Sequence, residues 1–327
     1  MAELRWNPFL QDWHMIASNR QNRPQMPKDY CPFCPSFGNV PDYEVMEYDN
    51  DFPALTQDPP APDDVATDFF KVAPNYGKCE VILYSPGHTT TLPELSDNHM
   101  RKLVDLWCER FSKMAEDEKI KYVFPFENRG DVVGVTMPHP HGQMYGYSFI
   151  PKRIQVESHS AKEYYQKNGS CLFCDTLKNE LKEQKRIIFS NEHFTVYLPF
   201  YSDYPYGVYI MANRHVSYIT DLTGAERDSL GITIRDTAGM LDALFDYRFP
   251  YMMCMYSAPV NSGDYSKDFH YHIKFFPPMR SAEKQKFNAS SETGAWANCN
   301  PTCPENTSEE LRAAYKKYLA NRPAQDK

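Results

Sequence analysis

His139-Pro140-His141-Gly142-Gln143 is the stretch on which the reading of this 327-residue chain turns. Successive side chains of an extended segment point to opposite faces, so His139 and His141 share one face. Pro140 stiffens the backbone between them. Gly142 removes side-chain bulk where a ligand could approach the main chain. One imidazole of such a pair can bind a metal while its neighbour attacks an electrophile. Two histidines in five residues decide little alone, so the rest of the chain must supply their partners.

Working outward, the same order of features occurs twice. Each half runs Cys-x-x-Cys, strand, isolated His, helix, strand, paired His. The first set is Cys31/Cys34, His88 and His139/His141; the second is Cys171/Cys174, His215 and His270/His272. Isolated and paired histidines are 51 residues apart in the first half and 55 in the second. A leucine follows each isolated histidine by seven residues, at Leu95 and Leu222. This is the pattern of an internal duplication. It predicts two α/β units joined near residue 155: a catalytic domain over 1–155 and a second domain over 156–327.

The elements fit that plan. A helix is expected from Ser96 to Met114, with Met100, Leu103, Val104, Trp107, Phe111 and Met114 on one face. A second runs from the capping box Thr223/Glu226 to about Phe245. Extended segments are expected at Trp13–Ala17, Val81–Tyr84, Tyr122–Phe126, Tyr145–Ile150, Val208–Met211, Met252–Tyr256 and Asp268–Phe275. Trp6–Phe9 reads as a turn, 56–66 as a Pro- and Asp-rich loop, and 282–307 as a polar region before a last amphipathic helix.

Bulk properties narrow the class. A net charge of -8 disfavours a nucleic-acid surface. No apolar run approaches a membrane span, and no opening segment resembles a signal peptide, so a cytoplasmic protein is expected. Nine cysteines, an odd number, disfavour a disulfide framework. Cys79, Cys108 and Cys254 read as core thiols, and Cys299 and Cys303 as chance neighbours.

Two thiolates and two imidazoles suit tetrahedral zinc, and a full ligand set leaves no open position, so the expected role is structural. The first tetrad is Cys31, Cys34, His88 and His139; the second is Cys171, Cys174, His215 and His270. His141 is then left beside a metal-bound neighbour, as a nucleophile or base. Imidazole attack on phosphorus gives a labile phosphoramidate, suited to passing the group onward. The Gln143 amide can donate a hydrogen bond to a phosphoryl oxygen but cannot deliver a proton, which favours a leaving group such as a phosphate. Asn128 and Thr136 could bind oxygens of the same group, and Arg20 and Arg23 a diphosphate. The second half carries Ile273-Lys274 where the first has Gly142-Gln143, so only the first half is expected to be catalytic. His272 and Lys274 would touch substrate or pack.

In these residues the chain resembles the galactose-1-phosphate uridylyltransferase family of the histidine-triad superfamily. The likeness rests on Asn7-Pro8, Arg20 and Arg23, Cys31/Cys34, Asn50-Asp51-Phe52 and Ser85-Pro86-Gly87-His88. It continues through Leu92-Pro93-Glu94-Leu95, Phe126-Glu127-Asn128, His139 to Gln143, Pro277-Pro278, Arg280-Ser281-Ala282 and Lys286-Phe287. It implies tandem histidine-triad-like domains of α/β (α+β) class, each a mainly antiparallel sheet with packed helices. It implies UMP transfer from UDP-glucose to galactose 1-phosphate through a uridylyl group on His141, with Gln143 binding the transferred group. His141 would be oriented by a backbone carbonyl near His139. Asn50, Asp51 and Phe52 would surround uracil and ribose. The region after Lys286 and Phe287 would reach a partner's site in a homodimer. Zinc is the implied cofactor, two ions per chain. Some relatives carry a second metal on one Glu and three His. Glu157 and His272 match two of those positions, but Tyr256 and Lys274 occupy the others, and the second tetrad here resembles the two-zinc branch. That branch includes an alternative activity, an ADP-sugar or dinucleoside-polyphosphate phosphorylase.

Overall fold

The computed structural model describes residues 2–18, 30–37, 39–135 and 137–322. The candidate binding residues Arg20, Arg23 and Thr136 lie outside them. The chain opens with β1 (Ala2–Asn7) and β2 (Asp12–Ala17), an antiparallel hairpin in register from Ala2↔Ala17 to Asn7↔Asp12. After β3 (Met46–Asp49), β4 (Val72–Pro74) pairs with the other edge of β1, giving a small sheet of order β2-β1-β4. Thus Trp6 and Asn7, expected in a turn, end a strand, and the turn begins at Pro8.

The remaining elements of the first half are β5 (Gly77–Leu83), α1 (Asp97–Ala115), β6 (Tyr122–Arg129) and β7 (His141–Tyr147). Two helices, α2 (Lys152–Asn168) and α3 (Leu172–Glu183), lead into β8 (Ile187–Ser190), β9 (Phe194–Tyr197) and β10 (Tyr209–Ala212). Then come α4 (Gly224–Phe245), β11 (Tyr251–Tyr256), β12 (His272–Phe276), the short α5 (Ser290–Ala295) and α6 (Pro304–Asn321).

Nine of these strands form one sheet, of order β3-β5-β7-β6-β11-β12-β10-β9-β8. Every adjacent pair is antiparallel. Read outward from the β6–β11 seam, the first half gives β6, β7, β5, β3 and the second gives β11, β12, β10, β9. The repeat expected from the motif order is therefore visible as an approximate twofold relation. The two halves do not keep separate sheets; backbone pairing from Arg129↔Tyr251 to Phe126↔Cys254 fuses them edge to edge.

Helices α1 and α4, at equivalent places in the repeat, cover one face. Ser96 caps α1 by accepting the His99 amide at 3.2 Å, and Thr223 and Glu226 form the expected capping box at α4. The apolar stripe of α1, Met100 to Met114, is buried against Ile82, Val123 and Met144 of the sheet. Trp107 is fully enclosed; truncating it to Ala would cost roughly 3–5 kcal/mol. Helix α6 lies on α4, where Gly239 leaves room for the Tyr318 ring. The opposite face of the sheet is aromatic, with Phe124, Phe126 and Tyr145 in successive ring contacts at 5.4 and 5.1 Å; Leu55 packs beside Tyr145 and Ile154 of α2 beside Tyr122.

One local reading changes, and the two Cys-x-x-Cys pairs differ in conformation. The period-two run from Asp268 pairs as a strand only over His272–Phe276, because the chain before it turns on hydrogen bonds from Asp268 and Phe269 back to Tyr265. The second Cys-x-x-Cys is the mouth of a helix: Cys171 is the cap of α3 and Cys174 sits in its first turn, whereas Cys31 and Cys34 close a tight turn. No helix among the described residues is long and apolar enough to cross a membrane.

Candidate active site and metal centres

The segment 138–140 delivers His139 and His141 to different neighbours. The amide of Tyr84 donates to the Pro140 carbonyl at 3.0 Å, which pins this segment to the end of β5. The His139 ring turns inward. Its Nδ1 lies 3.7 Å from Cys31 Sγ and 3.5 Å from Cys34 Sγ, and His88 Nδ1 lies 3.4 Å from Cys34 Sγ. The four donor atoms lie within 4.8 Å of one another.

The other side of the His139 ring reports which nitrogen faces the cluster. Nε2 is 2.9 Å from the Ser85 carbonyl. A carbonyl can only accept, so Nε2 carries the hydrogen and Nδ1 offers its lone pair to the sulfurs' side, as a metal ligand must. Burial lowers the ring's pKa to about 4, so it is neutral at physiological pH. Tyr43, which the sequence reading missed, braces the group: its hydroxyl lies 2.8 Å from the Phe33 carbonyl and 3.0 Å from that of Ser85.

His141 is fixed by the same logic. Its Nδ1 is 2.8 Å from the backbone carbonyl of His139. Nδ1 therefore carries the hydrogen, and the lone pair is on Nε2. The ring packs near Phe33, between the two cysteines, at 6.1 Å. Gln143, two residues on along the same face, is also oriented: the Tyr145 hydroxyl donates to its Oε1 at 3.2 Å, which leaves the amide NH2 as the outward donor.

Around this pair, Asn128 on β6, Arg129, Thr91 and Arg248 border one cleft with His141. Arg129 is already engaged by Asp242 through two 2.8 Å bonds. Arg248, from the second half, donates to the Thr89 carbonyl at 2.8 Å; nothing in the sequence pattern pointed to it. The Asn50-Asp51-Phe52 turn reaches the same side through Tyr48, whose ring meets Phe33 at 5.2 Å and whose hydroxyl contacts the Asp51 carboxylate. Lys286 is buried, 3.1 Å from Asn288 Oδ1, while Phe287 is 71% exposed.

The second half repeats the main contacts of this scaffold. Cys174 Sγ is 3.2 Å from His215 Nδ1 and 3.3 Å from His270 Nδ1. With Cys171 these donors also lie within 4.8 Å. His270 Nε2 faces the Ala212 carbonyl at 3.0 Å, and His272 Nδ1 faces the His270 carbonyl at 2.8 Å. The surroundings of His272 differ from those of His141. His272 is fully buried and stacked on Tyr256 at 5.0 Å, and burial lowers its pKa to about 3. Lys274 Nζ binds Glu157 at 2.6 Å. Burial acts to raise the Glu157 carboxyl, but Lys274, His272 and Arg153 outweigh it and hold it at about 2.

Gln143, Phe126, Cys254 and Lys274 lie in one row across the sheet. Along that row the two histidines fall on opposite sides. Three strand spacings and four residues put His141 and His272 on the order of 20 Å apart. Within one chain, His272 and Lys274 are not brought to the His141 side.

The fold and site thus define an internally duplicated protein whose halves share one nine-stranded sheet. In it a histidine tautomer is set by the main chain of a residue whose ring belongs to a Cys2His2 cluster. Family models described as the N-terminal and C-terminal domains of galactose-1-phosphate uridyl transferase match residues 2–151 and 157–314. The galactose-1-phosphate uridylyltransferase of Thermotoga maritima is 38% identical, over 95% of this chain and 98% of its own. That of Haemophilus influenzae is 30% identical over 97% and 96%. A solved uridylyltransferase structure superposes with a TM-score of 0.88 at 31% identity, covering 96% of this chain and 99% of that one. An ADP-glucose phosphorylase from Arabidopsis thaliana, at 21% identity and a TM-score of 0.73, shares the fold. The chain belongs to the galactose-1-phosphate uridylyltransferase family.

Proposed function

We propose that this chain transfers UMP from UDP-glucose to galactose 1-phosphate, with His141 as the nucleophile. The observation that carries the reading is the 2.8 Å contact between His141 Nδ1 and the His139 carbonyl, which places the lone pair on Nε2. In the first step Nε2 bonds to the α-phosphorus, and the bond from that phosphorus to the bridging oxygen breaks. Glucose 1-phosphate leaves as an anion and needs no proton, consistent with an amide rather than an acid at Gln143. In the second step a phosphate oxygen of galactose 1-phosphate attacks, the P–N bond breaks and UDP-galactose forms. The His139 carbonyl stabilises the positive ring of the intermediate through the Nδ1 hydrogen.

Asn128 and the Gln143 amide hold the transferred phosphoryl group, and Arg20, Arg23, Thr136 and Arg248 supply its further contacts. Asn50, Asp51 and Phe52 receive the nucleoside. Lys286 and Phe287 belong to a segment that reaches a second subunit of a cytoplasmic homodimer. The donor sets, two sulfurs and two imidazole nitrogens each, fit zinc, so Cys31, Cys34, His88 and His139 hold one ion and Cys171, Cys174, His215 and His270 another. The ions supply rigidity rather than an open coordination position. The catalytic half ends near residue 155.

The test is incubation with UDP-glucose labelled in the uridylyl group, without acceptor. The expected result is one label per chain on His141 and release of glucose 1-phosphate, both lost in His141→Ala. Labelling that persists in the variant refutes the mechanism. Turnover with ADP-glucose and inorganic phosphate exceeding that with UDP-glucose and galactose 1-phosphate refutes the substrate assignment.

A further inference from the structure

The second half holds a cavity of about 330 Å³ on the sheet face opposite α1 and α4, bordered by Arg153, Glu157, Tyr201, Tyr209, His272 and Lys274 among others. It is the duplicate of the His141 side: His272 stands where His141 does, Lys274 where Gln143 does, and Phe173 where Phe33 does. Two of its acceptors have no hydrogen-bond partner among the described residues, His272 Nε2 and Glu157 Oε2. They lie 4.0 Å apart, and the His272 side chain is completely buried. An acceptor kept dry without a donor costs about 1–3 kcal/mol, so the pair calls for donors from outside the chain.

The charge balance states which donors. Lys274 and Arg153 are both committed to Glu157, at 2.6 and 3.1 Å, and Arg153 also lies 3.8 Å from Asp203. Two cations against two carboxylates give no net field for an anion, so a phosphate is a poor occupant. Hydroxyl groups suit the site. Each can donate to Nε2 or Oε2 and accept from the flanking Lys274 or Arg153. The aromatic walls Phe173, Tyr201 and Tyr209 offer faces to the C–H side of a ring. We infer that this second-half cavity is a ligand site for a neutral polyhydroxylated ring, a free hexose, separate from the His141 site. The inference goes beyond the transfer reaction; only the UMP control in its test rests on that reading.

The test uses the full-length, metal-loaded protein, with free galactose and free glucose as probes. UMP at saturation occupies the His141 side. Ligand-observed saturation-transfer NMR is expected to give saturable binding of at least one hexose that UMP does not displace. Two variants at the cavity mouth leave the buried ion pairs intact: Tyr201→Ala, at a residue 60% exposed, and Val156→Trp, at a residue 48% exposed and bordering the cavity. Each is expected to weaken hexose binding at least tenfold while UDP-glucose turnover stays unchanged. The inference is overturned if neither hexose binds, if UMP abolishes the signal, or if both variants bind as the parent does. It is equally overturned by a crystal grown with the hexose that shows only an ordered water between His272 and Glu157.

Discussion

Gly142→Ala tests how closely the strand of the proposed nucleophile, His141, is held from behind. A Cβ at this position points to the helix side of the sheet, into the Tyr84 hydroxyl, well inside van der Waals contact. It would also stand 3.0 Å from Tyr84 Cζ and 3.0 Å from the Phe126 carbonyl oxygen. Tyr84 is only 2% exposed and packs edge-on against Trp107 at 5.8 Å, so its ring cannot retreat. Strand β7 must move instead, carrying His141. Overpacking of this kind costs about 1–3 kcal/mol of stability. A displacement near 1 Å at the reacting atom costs about a hundredfold in rate. Steady-state kinetics should show kcat reduced roughly a hundredfold, with metal content retained. The control is Tyr84→Phe in the same chain. It removes the colliding oxygen and should restore part of the loss, giving a positive coupling in the double-mutant cycle. If Gly142→Ala keeps kcat within about threefold of the parent, or if Tyr84→Phe makes it worse, the close packing behind His141 is not what positions it.

Other perturbations follow from the same geometry. Cys34→Ser should release one of about two tightly held ions per chain, measured by metal analysis, and should lower Tm sharply. Glu127 is pushed up to about 7 by burial from an ordinary value of 4.5, so the fold binds an extra proton between those values. Stability should therefore fall by about 3 kcal/mol as pH rises through that window. Denaturant melts should show this slope, and Glu127→Gln should flatten it. Lys274→Met leaves the Glu157 carboxylate without its closest partner and should cost roughly 3–5 kcal/mol in chemical denaturation, with much of it recovered on adding Glu157→Gln. Tyr145→Phe unlocks the Gln143 amide and should lower kcat while leaving the melting temperature within about a degree or two.

Much of this site was legible because its chemistry is local. Cys-x-x-Cys pairs, His-x-His segments and their matched spacing are read directly from the chain, and all eight proposed ligands do meet in two clusters. Helices α1 and α4 announce themselves by stripe and cap. What escaped is long-range. Tyr43 braces His139 across 96 positions of sequence, and Arg248 reaches the His141 cleft only because β11 lies beside β6. Helix α2 has a weak apolar period, and its Gln155, Ser158 and Lys162 border a polar cavity; α3 is amphipathic but short, and it begins inside the Cys171/Cys174 pair, which reads locally as a metal knuckle. The alternation from Asp268 extends beyond the strand His272–Phe276 because a buried loop entering a sheet shows the same pattern. The fusion of two sheets into one follows from which edges pair, and a period of two says nothing about that.

The β6–β11 seam has a consequence for origins and for dissection. A polypeptide with only the first half would present the β6 edge bare, and its nearest available cover would be another copy of itself. Two such copies, turned about the same axis, would rebuild much of the present platform from identical pieces. In the tandem chain the two halves meet at that seam within one polypeptide, and their paired histidines have different surroundings, His141 bordering a cleft and His272 buried beside Glu157. Residues 1–151 made alone should accordingly pair with themselves or aggregate through that edge.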